Sequence, residues 1–228
     1  MHLLILNTKS FLTSKTDLLK LSSDIASFPP TFRTIVCVPN SALAYVHDKL
    51  RGNPSIALGI QDVPASSSGA FTGNDNLELL TSLGAQFGLI GHPETRVTNS
   101  QLEEDITEKI QAVRSTKLTP IIYIGVSFEQ TADTLQGTIA VNLQGLVGLK
   151  NLHPIFALSL SDWSTESVKS TYKQLKKTFK GDFQFVLDVP LDIQKMKLLT
   201  KLSFIDGYVV SLQAQNTDSI RALYDQLR

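Results

Sequence analysis

The chain has 228 residues, with 21 Lys or Arg against 21 Asp or Glu, and 42% of it is hydrophobic. That much apolar material excludes a disordered chain, and the charge balance excludes a generally basic nucleic-acid binder. A single cysteine, Cys37, excludes an internal disulfide framework and a cysteine-rich zinc site.

Eight short apolar runs predict buried strands, because each is too brief for an independent helix and rich in Ile, Val or Phe. In chain order they begin at Leu3 (LLIL), Thr34 (TIVCV), Ser55 (SIALGI), Phe87 (FGLI), Pro120 (PIIYIG), Pro154 (PIFALSL), Phe183 (FQFVL) and Phe204 (FIDGYVV). Longer polar stretches separate them, and two are marked as helices. Ser100-Gln-Leu-Glu103 has capping-box spacing ahead of Leu102, Ile106, Ile110 and Val113 on one helical face. Ser164 is the predicted N-cap of a helix whose face carries Val168, Tyr172, Leu175 and Phe179. The helix expected over 131–150 is weakened by Gly137, Gly145 and Gly148.

Strand–helix alternation without a linker predicts one α/β domain over residues 1–228, built on parallel strands with outer helices. Eight units fit a closed (β/α)8 barrel. A doubly wound open sheet is the alternative, because counting strands does not reveal closure. No apolar run reaches the roughly 18 residues of a membrane helix, and the run at 3–6 is too short for a signal peptide. A soluble, cytoplasmic protein is expected, with neither a membrane nor a nucleic acid as partner.

Ligands of parallel α/β folds sit at the C-terminal ends of the strands. That geometry selects Asn7 and Lys9, Gln61, the stretch from Gly91 to Arg96, then Ser159, Ser161, Asp162 and Trp163, then Asp188, and finally Ser211. Singly, each has an ordinary structural explanation. Lys9 suits a solvated loop, His92 a hydrogen-bonded turn, and Asp188 a helix N-cap. Glu94 and Arg96 suit a local ion pair worth under about 1 kcal/mol. His2, His47 and His153 match no metal-ligand spacing and read as structural, and no phosphate-binding glycine loop is present. The residues therefore point to no metal, nucleotide or organic cofactor.

Together they are more informative. Asn7-x-Lys9, Gly69-Ala-Phe-Thr-Gly73 and Gly91-His92-Pro-Glu94 follow in an order and spacing that resembles the triosephosphate isomerase family. The family's forms are N-x-K, G-A-[FY]-T-G-E and G-H-S-E-R-R. Pro120-Ile-Ile-Tyr-Ile-Gly125 resembles its fifth strand, and Ile205-Asp206-Gly207-Tyr208 the start of its eighth. The resemblance favours the closed TIM barrel over the open sheet. It implies the family reaction of glycolysis and gluconeogenesis, in which dihydroxyacetone phosphate and glyceraldehyde 3-phosphate interconvert through an enediolate. It implies that Lys9 supplies positive charge toward substrate and phosphate, that Asn7 positions it, and that His92 donates to the developing oxyanion. Glu94 is then a supporting carboxylate near Lys9. The resemblance also implies a homodimer through the loop 61–73, with Thr72 beside the second subunit's site.

The later segments depart from the family. Its sixth strand runs into A-Y-E-P-V-W and a glycine-containing lid, where this chain reads Ala157-Leu158-Ser159-Leu160-Ser161-Asp162-Trp163. Ser159 falls at the position of the base, and a hydroxyl cannot accept a carbon-bound proton near pH 7 as a carboxylate does. The lid is missing or cut to a stub, which admits water. The family's glycine pairs after strands seven and eight, which cradle phosphate, are replaced by Asp188-Val189-Pro190 and Ser211-Leu212. Ser211 is the one polar side chain left there as a substrate contact. Pro93 replaces the family's Ser, removing a hydroxyl and an amide but suiting a first helical turn. The expectation is a homologue that has lost most or all isomerase activity and meets a small phosphorylated sugar or other small anion. The alternatives are an active isomerase with a relocated base, Asp162 foremost and then Glu166 or Asp188, and a non-catalytic partner or anion-binding barrel.

Overall fold

The structure is a computed structural model. It describes residues 3–27, 32–65, 68–124, 152–159, 164–189, 201–211 and 221–222, together with Met196 and Leu199. Eight strands are present: β1 Leu3–Asn7, β2 Arg33–Val38, β3 Ile56–Ile60, β4 Phe87–Ile90, β5 Thr119–Ile124, β6 Ile155–Ser159, β7 Gln184–Asp188 and β8 Gly207–Ser211. They form a closed barrel in sequence order, and β8 pairs in parallel with β1, which excludes the open sheet. The described helices are α1 Lys15–Ala26, α2 Leu43–Leu50, α3 Leu77–Ser82, α4 Pro93–Thr98, α5 Glu103–Val113 and α6 Thr165–Thr178. The helix expected over 131–150 lies outside the described residues.

Side chains along a strand alternate between faces, which sorts each strand into two sets. One set fills the barrel, including Ile5, Cys37, Leu89, Ile121, Ala157 and Val209. The other faces the helices, including Leu6, Val36, Ile122, Phe156, Leu187 and Val210. Both sets are buried, so the strands read as unbroken apolar runs. The same parity carries Asn7, Ser159, Asp188 and Ser211 to the inner side of the barrel's C-terminal rim. Register sets Ser159 beside Asp188 and Asn7 beside Ser211.

Helix starts follow side-chain capping. Ser14 Oγ accepts from the Asp17 N–H at 3.1 Å while the Asp17 carboxylate accepts from the Thr13 N–H at 3.0 Å, opening α1. Ser164 opens α6 as expected, accepting from the Ser167 N–H at 3.0 Å. Val168, Leu175 and Phe179 are buried along it, and Tyr172 stacks on Phe204 at 4.3 Å. The start of α5 is corrected. Ser100 takes a left-handed φ of 49°, so the chain enters the helix two residues later, with Leu102 at the N-cap. The Asp105 carboxylate, not that of Glu103, then lies three residues on and accepts from the Leu102 N–H at 2.7 Å. Glu103 instead pairs with Arg96. Leu102 is exposed, leaving Ile106, Ile110 and Val113 as the buried face.

Closure between β8 and β1 depends on Gly207. A Cβ there would lie 1.9 Å from the Leu3 carbonyl oxygen. The Asp206 carboxylate fixes the same corner by accepting from the Phe185 N–H at 2.7 Å. Among the described residues no helix is long and apolar enough to cross a membrane. Gly207→Ala should cost about 3 kcal/mol or more in urea denaturation; a loss below about 1 kcal/mol would contradict this closure geometry.

Candidate active site

The first half of the rim is built by three loops. Asn7 is buried at the end of β1, and its Oδ1 accepts from the Lys9 N–H at 3.1 Å. Lys9 itself has a left-handed φ of 47°, uncommon for a residue with a side chain. Gln61, just after β3, holds this turn in place. Its Nε2 donates toward Thr8 Oγ1 at 2.8 Å, the Lys9 carbonyl at 3.0 Å and the Cys37 carbonyl at 3.2 Å. The Lys9 ammonium is then delivered to Glu94, with which it forms an ion pair.

Gly91, at φ 70°, turns the chain from β4 into α4. His92 is the N-cap of that helix, and its Nδ1 accepts from the Glu94 N–H at 3.1 Å. Pro93 occupies the first helical position, where an amide proton would have no partner. Because Nδ1 accepts, the ring proton is assigned to Nε2. Burial pushes the His92 pKa down to about 4; Lys9 acts in the same direction, and Glu94 opposes both. The imidazole is therefore neutral at pH 7, a fixed donor through Nε2. The local ion pair expected between Glu94 and Arg96 does not form: Glu94 pairs with Lys9, and Arg96 with Glu103.

The second half of the rim differs in kind. Ser159 ends β6, half-buried on the barrel side. Beside it, Asp188 ends β7 with its side chain half-buried in the mouth. Burial raises the Asp188 pKa to about 6; Lys9 and the Tyr123 hydroxyl pull it down, and Glu94 adds to the rise. Asp188 is thus a strand residue of the mouth rather than simply a helix cap. Tyr123 of β5 is fully buried, its ring edge-on to the His92 ring at 4.8 Å between centroids. Its hydroxyl lies by the Asp188 carboxyl, and burial first and that carboxyl second raise its pKa.

Asn7, Lys9, His92 and Glu94 are therefore brought together as the sequence suggests, and Asp188 joins them. Ser211 is exposed at the end of β8, beside Asn7. Thr72 is exposed on the loop after β3, next to the half-exposed Phe71. Glu166 is exposed in the first turn of α6. Ser161, Asp162, Trp163 and Pro190 lie outside the described residues. Tyr123 was legible only as part of a strand; its signal was a phenol near the C-terminal end of PIIYIG, in phase with the inward Ile121.

A closed parallel barrel with a neutral histidine and a paired lysine at the C-terminal ends of its strands defines a (β/α)8 protein, a class whose ligands sit on the βα loops. A family model described as triosephosphate isomerase matches residues 2–153, and the chain belongs to that family. The triosephosphate isomerase of Gluconacetobacter diazotrophicus is 31% identical over 148 residues, covering 61% of this chain and 58% of that protein. That of Synechococcus sp. strain JA-3-3Ab is 31% identical over 167 residues, covering 69% of this chain and 64% of that protein. The match thus spans less than two thirds of either relative's length. The crystal structure of triosephosphate isomerase from Bartonella henselae shares the fold, with a TM-score of 0.78 over 98% of this chain and 99% of that one, at 20% identity.

His92 and Asp188 bias stability in opposite directions. His92 has a folded pKa below its free value of 6.5, so the stability it contributes above that pH is lost as pH falls toward about 4. Asp188 has a folded pKa above its free value of 3.8, so the stability it contributes below that pH is lost as pH rises through about 6. Asp188→Asn removes the second effect. Relative to wild type, the variant should gain stability as pH rises between these limits, with a slope of about one proton in urea melts at stepped pH. Parallel pH profiles would contradict the assignment.

Proposed function

We propose that this chain is a triosephosphate isomerase homologue that keeps the electrophilic half of the family's site and has lost most or all isomerase activity. The supporting observation is a serine, Ser159, at the inward-facing end of β6, where the family's base would stand. Asn7, Lys9, His92 and Glu94 are the catalytic group of this proposal. Lys9 faces the substrate oxygens with its ammonium, Asn7 holds the Lys9 turn, and Glu94 anchors the Lys9 chain. His92 Nε2–H donates to the carbonyl oxygen as charge develops on it, a contact worth about 10²–10³ in rate. β6 ends without a carboxylate to accept the carbon-bound proton, and loss of a general base costs about 10²–10⁴ in rate. Ser211 remains as a weak substrate contact at the end of β8.

One alternative is favoured by a specific observation. Asp188 puts a carboxyl in the mouth with a pKa near the operating range of a general base, at about 6. An active isomerase using Asp188 as its base, in place of the expected Asp162, would need that group. The chain is further proposed to be a cytoplasmic, single-domain homodimer. Its contact would be the loop after β3, with Thr72 reaching the second subunit's site. Phe11, Phe71, Val97 and Leu102, on or near the βα loops of this half of the barrel, are exposed apolar side chains that such a contact would cover.

Steady-state assay of the purified protein with either triose phosphate should give a kcat at least about 100-fold below the ordinary range of 1–10³ s⁻¹. A kcat inside that range, abolished by Asp188→Asn, would establish the alternative instead. Sedimentation should show a dimer at micromolar concentration, and Phe71→Glu should shift it to monomer; a wild-type monomer would refute the proposed contact.

A further inference from the structure

Lys109 is a buried cation that the site described above does not use. It lies on the buried face of α5 with Ile106 and Ile110. A lysine in such a place needs a partner, because an unpaired charge there is strongly unfavourable. The partner is Asp62, just after β3. Lys109 Nζ donates to Oδ1 at 2.5 Å and to Oδ2 at 2.6 Å. Gln101, in the link between α4 and α5, donates through Nε2 to the same Oδ2 at 3.2 Å.

Asp62 stands where the chain leaves the barrel. One residue earlier, Gln61 is tied to the Lys9 turn, and one residue later the buried Val63 donates its N–H to the Leu89 carbonyl at 3.1 Å. Beyond that begins the loop that carries Phe71 and Thr72. Its far end is tied by a second polar contact, from Asn40 Nδ2 to Asp75 Oδ2 at 2.5 Å. Between these ties, the loop and α5 leave a cleft of about 600 Å³, whose lining includes Asp62, Pro64, Phe71, Asn74, Asp75 and Lys109. The loop therefore stands over open space rather than on a packed face, and its pose depends on the contacts at its ends. Charge-assisted hydrogen bonds are the strong, directional kind suited to that task. Helix α5 grips the next loop in the same manner: Glu103 pairs with Arg96, whose Nε donates to the Gly91 carbonyl at 3.0 Å.

We propose that Lys109 is a positioning residue, which fixes the pose of the loop after β3 through Asp62 and so sets how tightly a second copy of the chain can dock there. The consequence for assembly rests on the dimer contact proposed above, whereas the positioning role is read from the loop itself.

Backbone hydrogen exchange of the full chain, followed by mass spectrometry, tests this. Lys109→Met should speed exchange over residues 61–75 by at least about tenfold and leave β4 and β5 within about twofold of wild type. The dimer dissociation constant from sedimentation should rise by at least about tenfold in the same variant, a reading that a merely structural role would not move. Lys109→Arg should restore both values. Should Lys109→Met fail to fold, Asp62→Asn supplies the same two readings with a hydrogen-bonding side chain still in place. Unchanged loop exchange, uniform acceleration across the barrel, or an unchanged dimer constant in a loosened loop overturns the inference. A wild-type monomer would refute the dimer contact alone, and the loop's exchange would still decide the positioning role.

Discussion

Closure of an all-parallel barrel forces every second strand residue inward, and that single constraint organises both the core and the site. The inward parity that stacks Ile5, Cys37, Leu89 and Val209 inside the barrel also brings Asn7, Ser159, Asp188 and Ser211 to its open end. No residue at the rim can change face without a register slip that would turn the whole strand's apolar set outward. The site's composition is therefore read directly from the last inward residue of each strand. On β6 that residue is a serine, and on β7 an aspartate.

The rim divides into two unequal halves. In the first, short-range contacts support one another: Gln61 ties down the Lys9 turn, Lys9 pairs with Glu94, and the Glu94 amide fixes the His92 ring. Such a group is preorganised, with its dipoles set before any ligand arrives. In the second half, a buried phenol and a neighbouring carboxyl pushed toward neutrality occupy the mouth. The family match ends at residue 153, just before β6, while the barrel continues through β8. The fold has outlasted the sequence likeness there, as expected where burial and parity constrain strands more tightly than loop chemistry does.

The barrel was legible because strands buried on both faces leave continuous apolar runs, and eight of these survive the chain's divergence. The first half of the site was legible because its signals are local: Asn7 and Lys9 are two residues apart, as are His92 and Glu94. The pairing of Asp188 with Tyr123 was not, because it depends on the relative register of β5, β6 and β7, which no single segment encodes. The start of α5 was misread for a different reason. Ser100 and Glu103 have the right spacing for a cap, but a left-handed turn at Ser100 delays helix entry and hands the role to Asp105. Spacing alone does not report the backbone angle that decides which side chain comes within reach.

On the proposed reading, no described group at this rim removes the carbon-bound proton of a triose phosphate. Hydrogen exchange at carbon reports that step alone, independent of product release. Dihydroxyacetone phosphate should be held with stoichiometric protein in deuterium oxide and followed by proton NMR. Deuterium uptake should be no faster than in the protein-free control; rapid uptake at the carbon that forms the enediolate would show that a base is at work.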